Sequence, residues 1–215
     1  MSGVYKELCK ESEWHFDWFR KEDEDPYYTS MPVRFVGDWD PDIKIKEKWK
    51  SDETGDVSKG SEQYKKLGVN YNNLYDEGHF DEELNKDYLS LVNAVGLDNP
   101  RRLIHVQHPG QMHPLHLDMT YGNGKWDYLG DTKKDVIGKM LIFLDDWHPG
   151  QVVMVGTNHY TQWRKGDAIH FRWRDMPHGT CNFGHHKRPI IFISGIITPK
   201  FQRYIDAKEK VIVEV

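Results

Sequence analysis

His116 and Asp118 form a His-x-Asp pair whose side chains could bind one metal ion together. On an extended strand, residues i and i+2 project from the same face, so the imidazole and the carboxylate would lie side by side. A third ligand must come from elsewhere in the fold, and His178, in the sequence Pro177-His178-Gly179, is the best candidate. We therefore expect His116, Asp118 and His178 to converge on a single ion.

This ligand set is typical of iron chemistry. Two histidines and one carboxylate on one face, with the remaining coordination positions open, bind Fe(II) in non-haem oxygenases. A His-x-Asp pair is common by chance, so a further feature is needed, and Arg188 opens the apolar run 188–194 shortly after His178. A guanidinium at the start of a strand beside the metal can hold a carboxylate through two parallel hydrogen bonds. Such a pair of features suits a 2-oxoacid that chelates the metal at one end and is held by Arg188 at the other.

The elements that must position these residues are short β-type runs in the second half of the chain. Gly- and Pro-rich turns separate them, and no helical pattern intervenes, which predicts an antiparallel sandwich or barrel. The tetrapeptide HPGQ occurs at 108–111 and again at 148–151; four residues are too few to establish an internal duplication, and two equivalent turns explain them equally well. The predicted strand runs are 101–107, 139–144, 151–156, 167–173 and 188–197.

Residues 1–100 form an N-terminal extension that we expect to belong to the same domain as the core at 101–215. One helix is well specified over about 81–95, with Asp81 as its N-cap and Gly96 in the left-handed position after its last turn. Apolar residues at helical spacing give it one packing face. The fold class predicted is mainly β, with an α-helical N-terminal extension.

Composition narrows the functional classes. The 215 residues include 29 Lys and Arg against 34 Asp and Glu, so the net charge of −5 gives no reason to expect a nucleic-acid partner. No apolar run is long enough for a membrane span, and the first residues contain no signal-peptide pattern. The two cysteines, Cys9 and Cys181, exclude a disulfide framework. We therefore expect a cytoplasmic protein whose partner is a small-molecule or peptidyl substrate.

Over residues 103–198 the sequence resembles the 2-oxoglutarate- and Fe(II)-dependent dioxygenase superfamily. The matching features occur in the expected order: the His116/Asp118 pair, a strand pair ending at Asp167, then His178 and Arg188. The stretch 163–182 looks like the prolyl-4-hydroxylase-like branch. The resemblance implies a double-stranded β-helix, or jelly-roll, core. It also implies that His116, Asp118 and His178 bind Fe(II), and that Arg188 binds the distal carboxylate of 2-oxoglutarate.

The activity implied is hydroxylation of an unactivated C–H bond by dioxygen, with release of succinate and CO2. Halogenating relatives lack the carboxylate ligand, so the presence of Asp118 favours hydroxylation or another oxidation. Relatives often add a second contact to the oxoacid carboxylate, and Lys139, Thr180 and Gln107 are three candidates for that contact here. The sequence does not choose among them.

Two other classes of protein remain open. The first is a cupin-like metalloprotein with a cosubstrate-independent activity, in which His108 or His113 would reach the ion alongside His116. The second is a non-catalytic jelly-roll binding module, in which the metal-binding residues and Arg188 would be scattered.

Overall fold

The computed structural model describes residues 31–41, 77–79, 86–116, 136–156, 158–171 and 176–215. In these ranges the chain forms eleven strands and two helices. The strands are β1 (Val33–Val36), β2 (Glu77–His79), β3 (Asp98–Gln107), β4 (Met112–His116), β5 (Ile137–Phe143), β6 (Gln151–Val155), β7 (Asn158–Tyr160), β8 (Asp167–His170), β9 (His178–Asn182), β10 (Arg188–Ile196) and β11 (Val211–Glu214). The helices are α1 (Lys86–Val95) and α2 (Pro199–Ile205).

The strands form two sheets. The large sheet has the order β11-β1-β8-β5-β10-β3-β2, and the small sheet has the order β4-β9-β6-β7. Along the chain, β3, β5, β8 and β10 belong to the large sheet, whereas β4, β6, β7 and β9 belong to the small one. The pairings among these eight strands are antiparallel. Eight antiparallel strands divided between two facing sheets in this order form a jelly roll, as the resemblance implied.

The five predicted strand runs correspond to β3, β5, β6, β8 and β10, with ends that differ by a few residues. Of the strands that the pattern did not specify, β7 and β11 have three and four residues. In strands of that length, period-two alternation is too brief to recognise.

The two HPGQ segments form equivalent turns. In each one the Gln N–H donates to the His carbonyl, at 3.1 Å for 108–111 and 3.2 Å for 148–151. Gly110 and Gly150 have φ of +82° and +95°, which suits the third position of a type II turn with proline at the second. Each Gln side chain also accepts a hydrogen bond from the His N–H that begins its turn.

The structure does not support the prediction of an α-helical N-terminal extension. Its described part contributes β1 and β2, which pair with β8 and β3 in the large sheet, in addition to helix α1. In β1 the alternation of buried Val33 and Phe35 with less buried neighbours is a strand pattern, but four residues are too few to stand out. Helix α1 coincides with the second part of the predicted helix and ends before Gly96, whose φ is +73°. The proposed cap Asp81 lies outside the described residues.

The large sheet has an apolar core on each face. Its outer face packs against α1 and α2, and Ile191 and Ile193 of β10 belong to that cluster. Its inner face turns toward the small sheet, and Ile190 and Phe192 pack there, in what we call the inter-sheet core. Because successive strand residues face opposite sides, even-numbered residues of β10, beginning with Arg188, project between the sheets.

A buried carboxylate, Asp167, joins three strands of the large sheet. Arg34 of β1 donates to it twice, at 2.8 and 3.2 Å, and Lys210, next to β11, donates at 2.9 Å. The Arg164 amide adds a third donor at 3.0 Å. Burial raises the pKa of the Asp167 carboxyl, but these hydrogen bonds outweigh it and hold the pKa below its ordinary value.

We predict that Asp167→Asn lowers the free energy of unfolding at pH 7 by about 2–3 kcal/mol, since it removes a buried charge from two partly exposed cations. The folded-state pKa of Asp167 is lowered, so its contribution is present above about pH 4 and disappears as the pH falls through that pKa. Urea denaturation should therefore give a free energy of unfolding for Asp167→Asn that is lower than that of the parent protein at pH 7. At pH 3 the two free energies should differ by less. The exposed Asp38→Asn is the control, and an equal difference at both pH values would contradict the assignment.

Candidate active site

Pairing between β4 and β9 places two predicted metal ligands opposite each other. His116 is the register partner of His178, and His113 is the partner of Thr180, with a bulge between the two pairs. The strands approach closely at Gly179, where a Cβ would lie 2.9 Å from the His113 carbonyl oxygen. The backbones of His116 and His178 are therefore adjacent in the small sheet. The side chain of His116 and the whole of Asp118 lie outside the described residues.

His178 is held in a definite tautomer. Its side chain is buried, and Nδ1 lies 3.1 Å from the carbonyl oxygen of Met176. A carbonyl only accepts hydrogen bonds, so Nδ1 carries the proton and a neutral ring has its lone pair on Nε2. The ring centroid lies 4.8 Å from that of Phe171, which packs against it. Metal-binding histidines are commonly oriented in this way, by a hydrogen bond from the nitrogen that does not bind the metal.

Arg188 lies fully inside the protein, at 2% exposure. It begins β10 in the large sheet, and its Nη1 donates to the carbonyl oxygen of Val152, in β6 of the small sheet, at 3.4 Å. The guanidinium therefore extends across the space between the sheets. A buried guanidinium in this position is suited to binding an anion through two parallel hydrogen bonds.

Gln107 and Thr180 connect the two sheets next to Arg188. Gln107 is the register partner of Arg188 in the large sheet, and it is fully buried. Its Nε2 donates to Oγ1 of Thr180 at 2.8 Å, across to the small sheet. Its Oε1 accepts no hydrogen bond from the described residues. Three of the four predicted oxoacid-binding residues, Gln107, Thr180 and Arg188, are thus brought together.

Lys139 is placed elsewhere, which corrects the expectation that it could share a carboxylate with Arg188. Its register partner on β10 is Ser194, six residues from Arg188, or about 20 Å along an extended strand. Its Nζ lies 4.5 Å from the centroid of the Phe192 ring. Strand alternation predicts which face a residue occupies, but not how far along the barrel it lies, so the sequence could not separate Lys139 from the other two candidates.

Asn182 was missed by the sequence reasoning. It is fully buried, and its Nδ2 donates to the backbone oxygens of Gln107, at 3.1 Å, and His186, at 2.8 Å. It therefore fixes the end of β3, and with it Gln107, against the loop that precedes Arg188. Its place two residues after Thr180, on the same strand face, is the only sequence signal that could have suggested it.

Of the remaining histidines, His105 lies in β3 and His170 lies in β8. Both pack against aromatic rings, as expected of histidines with a structural role. The His105 ring meets Phe192 edge-on at 5.1 Å. His170 has Nδ1 3.0 Å from the Lys139 carbonyl oxygen, and burial lowers the pKa of its imidazole. His108 begins the first HPGQ turn.

Within the ranges that the structure describes, no group of three or more His, Cys, Asp or Glu side chains is arranged to hold a metal ion. The ligand set of His116, Asp118 and His178 includes atoms outside those ranges, so it stays a prediction. In the described part of the chain, no helix is both long enough and apolar enough to cross a membrane.

Comparison with known proteins gives only distant similarities. No protein-family model and no curated protein matches the sequence. Among solved structures, a Pseudomonas putida prolyl-4-hydroxylase is 13% identical with a TM-score of 0.42, over 66% of this chain and 84% of that one. A putative sugar phosphate isomerase from Acidithiobacillus ferrooxidans is 17% identical with a TM-score of 0.32, over 50% of this chain and 56% of that one.

A cupin domain of an XRE-family transcriptional regulator from Enterobacter cloacae is 9% identical with a TM-score of 0.32, over 46% of this chain and 84% of that one. At these identities and TM-scores the similarities support no conclusion about function. The assignment of a jelly roll depends instead on the strand order and pairing of this chain.

We predict that Gly179→Ala weakens the binding of Fe(II) about tenfold or more, because the added Cβ would push β4 away from β9 and separate His116 from His178. The same overlap should lower the free energy of unfolding by about 1–3 kcal/mol. Anaerobic Fe(II) titration and urea denaturation measure the two effects. Unchanged iron affinity in a destabilised variant would show that this strand pairing does not position the metal ligands.

Proposed function

We propose that the protein is an Fe(II)- and 2-oxoglutarate-dependent oxygenase that hydroxylates an unactivated C–H bond of a small molecule or a peptidyl residue, releasing succinate and CO2. The observation that carries the proposal is the buried Arg188 guanidinium between the sheets, beside Gln107 and Thr180. Strand β9 holds both Thr180 and His178, so the residues suited to a carboxylate and the proposed metal ligand lie on one strand face.

His116, Asp118 and His178 would hold the iron. The register of β4 against β9 supports the two histidines, and the Met176 carbonyl fixes the His178 tautomer that has Nε2 available as a ligand atom. When bound, Fe(II) and 2-oxoglutarate supply the activation of dioxygen, coupled to the oxidative decarboxylation of the oxoacid.

Arg188 and Thr180 would hold the far carboxylate of the oxoacid. Thr180 lies two residues beyond His178, about 7 Å along the strand, in the direction of Arg188. Thr180 Oγ1 already accepts a hydrogen bond from Gln107, so its own proton can be donated to the carboxylate. Gln107 then acts as a positioning residue for that hydroxyl.

The inter-sheet core supplies a dry surrounding for this chemistry. The residues that line it are aromatic or aliphatic and almost fully buried, so water has little access to the space beside His178. Its buried members are Leu141, Phe143, Val153, Val155, Tyr160, Trp163, Ile169, Phe171, Met176 and Ile190.

A visible charge-transfer band should appear when Fe(II) and 2-oxoglutarate are mixed with the protein in the absence of oxygen. The band should vanish in His116→Ala and His178→Ala. In Arg188→Met it should require about 10- to 100-fold more 2-oxoglutarate, because a charged hydrogen-bonding group is lost. Arg203→Met, an exposed residue of α2, is the matched control.

Circular dichroism would confirm that Arg188→Met folds, and Arg188→Lys provides a milder variant if it does not. A protein that binds Fe(II) but not 2-oxoglutarate would point instead to a cupin-like metalloprotein without the cosubstrate. A protein that binds neither would point to a non-catalytic binding module.

Substitutions at Thr180 separate its hydroxyl from its shape. Thr180→Val removes the donor at nearly constant volume, and we expect the affinity for 2-oxoglutarate to fall about 3- to 10-fold with iron affinity unchanged. Thr180→Ser keeps the donor and should retain the affinity. Calorimetric titration of 2-oxoglutarate into the Fe(II) protein without oxygen measures both. Equal affinities in the Val and Ser variants would remove Thr180 from the oxoacid site.

A further inference from the structure

Strand β11 forms one edge of the large sheet. It stands at the end of the strand order, and among the described strands it pairs with β1 alone, in parallel. The N–H groups of Val211 and Val215 donate to carbonyl oxygens of Pro32 and Val36, at 2.9 Å each. Because the amides of successive strand residues point in opposite directions within a sheet, those of the intervening Ile212 and Glu214 point away from β1. The edge therefore presents backbone donors and acceptors to which another strand could pair.

The exposed side chains of this edge lie on one face. Ile212 is 53% exposed, and it is the register partner of Arg34 on β1, whose guanidinium donates to Asp167. Lys210, two residues before Ile212, reaches the same carboxylate at 2.9 Å. Glu214, two residues after Ile212, follows on that face and is exposed. This face of the edge thus presents a cation, an isoleucine and a carboxylate, in that order along the chain.

We propose that β11 pairs antiparallel with β11 of a second copy of this chain, so that the two large sheets become continuous across a two-fold axis. Ile212 would lie opposite its counterpart in the second copy. Lys210 of each copy would lie opposite Glu214 of the other. This proposal does not depend on the proposed function.

The order of the side chains is self-complementary in that register. Antiparallel strands whose axis passes through Ile212 bring two apolar side chains together at the centre and pair an ammonium with a carboxylate at each end. If the axis passed through Val213 instead, each isoleucine would lie opposite a glutamate. An unrelated strand would match this order only by chance, whereas a second copy supplies it by symmetry.

Lys210 can take a second carboxylate without losing its first. Asp167 is shared between Arg34 and Lys210, so one carboxylate already serves two cations. An ammonium has three hydrogen-bond donors, and the Lys210 side chain is 34% exposed. Glu214 of the second copy would therefore add a partner on the solvent side of Lys210.

The small size of the contact sets its expected strength. Strand β11 has four residues, and pairing two such strands buries less than the ~1,600 Å² that is typical of stable complexes. We therefore expect a reversible dimer that forms as the protein concentration rises through the micromolar range.

Sedimentation velocity over a series of protein concentrations measures this equilibrium. We expect monomer to convert to dimer as the concentration rises, and to convert less readily at high salt. Ile212→Lys and Glu214→Lys should each raise the dissociation constant about tenfold or more, because each places like charges opposite each other. Glu209→Lys is the matched control, since it makes the same change of charge at an exposed residue whose opposite in the proposed register is Val215.

A cysteine on the symmetry axis tests the register. With Cys9 and Cys181 replaced by serine, Ile212→Cys should form a disulfide-linked dimer under mild oxidation, because the two Cα atoms of such a pair are about 5.5 Å apart. Glu214→Cys should not, because its two copies would be about 14 Å apart. Circular dichroism would confirm that each variant folds, and Glu214→Lys decides if Ile212→Lys does not.

A protein that sediments as a monomer at every concentration would overturn the proposal. A dimer that neither Ile212→Lys nor Glu214→Lys weakens would place the contact elsewhere and overturn it too. Cross-linking through Glu214→Cys but not through Ile212→Cys would contradict the register. A monomer whose Ile212 amide is protected from hydrogen exchange would show that the edge is covered by another part of the same chain.

Discussion

A buried positive charge is the constraint around which this site is organised. Arg188 is 2% exposed, and transfer of an ion from water into a protein interior costs free energy unless polar partners compensate for it. Apolar residues of similar size would fill the space at no such cost. In the proposed function, the carboxylate of a bound oxoacid would supply part of that compensation, beside Gln107, the register partner of Arg188. The two sheets of the jelly roll enclose the interior in which Arg188 lies.

The strand order explains how residues distant in sequence come to share that interior. Chain crossings between the sheets place β9 in the small sheet and β10 in the large one, so that Thr180 faces Gln107 across the interior. The two HPGQ turns fix the chain beside the loop that leads to Arg188, since Gly110 N–H donates to the Asn182 carbonyl and Phe183 N–H donates to that of Gly150. The loop geometry, the buried Asn182 and the position of Arg188 thus depend on one another.

The sequence predicted the strands better than it predicted how far along the barrel a residue lies. Apolar runs bounded by Gly and Pro located β3, β5, β8 and β10, because the large sheet is buried on both faces, and they also located β6 of the small sheet. The same reasoning missed β1, because four alternating residues give too little signal. Lys139 was grouped with Gln107 and Thr180 because period-two alternation predicts the face on which a residue lies and not its position along the barrel. Asn182 was missed because its side chain makes hydrogen bonds to backbone atoms, which no pattern of residue types indicates.

Crystallography of the protein with Mn(II) in place of iron and with 2-oxoglutarate would test the central claim most directly. The account predicts a single manganese peak bound by His116, Asp118 and His178, with the oxoacid extending from the metal so that its far carboxylate contacts Arg188 and Thr180. Manganese at any other group of side chains, or an oxoacid whose far carboxylate points away from Arg188, would contradict it.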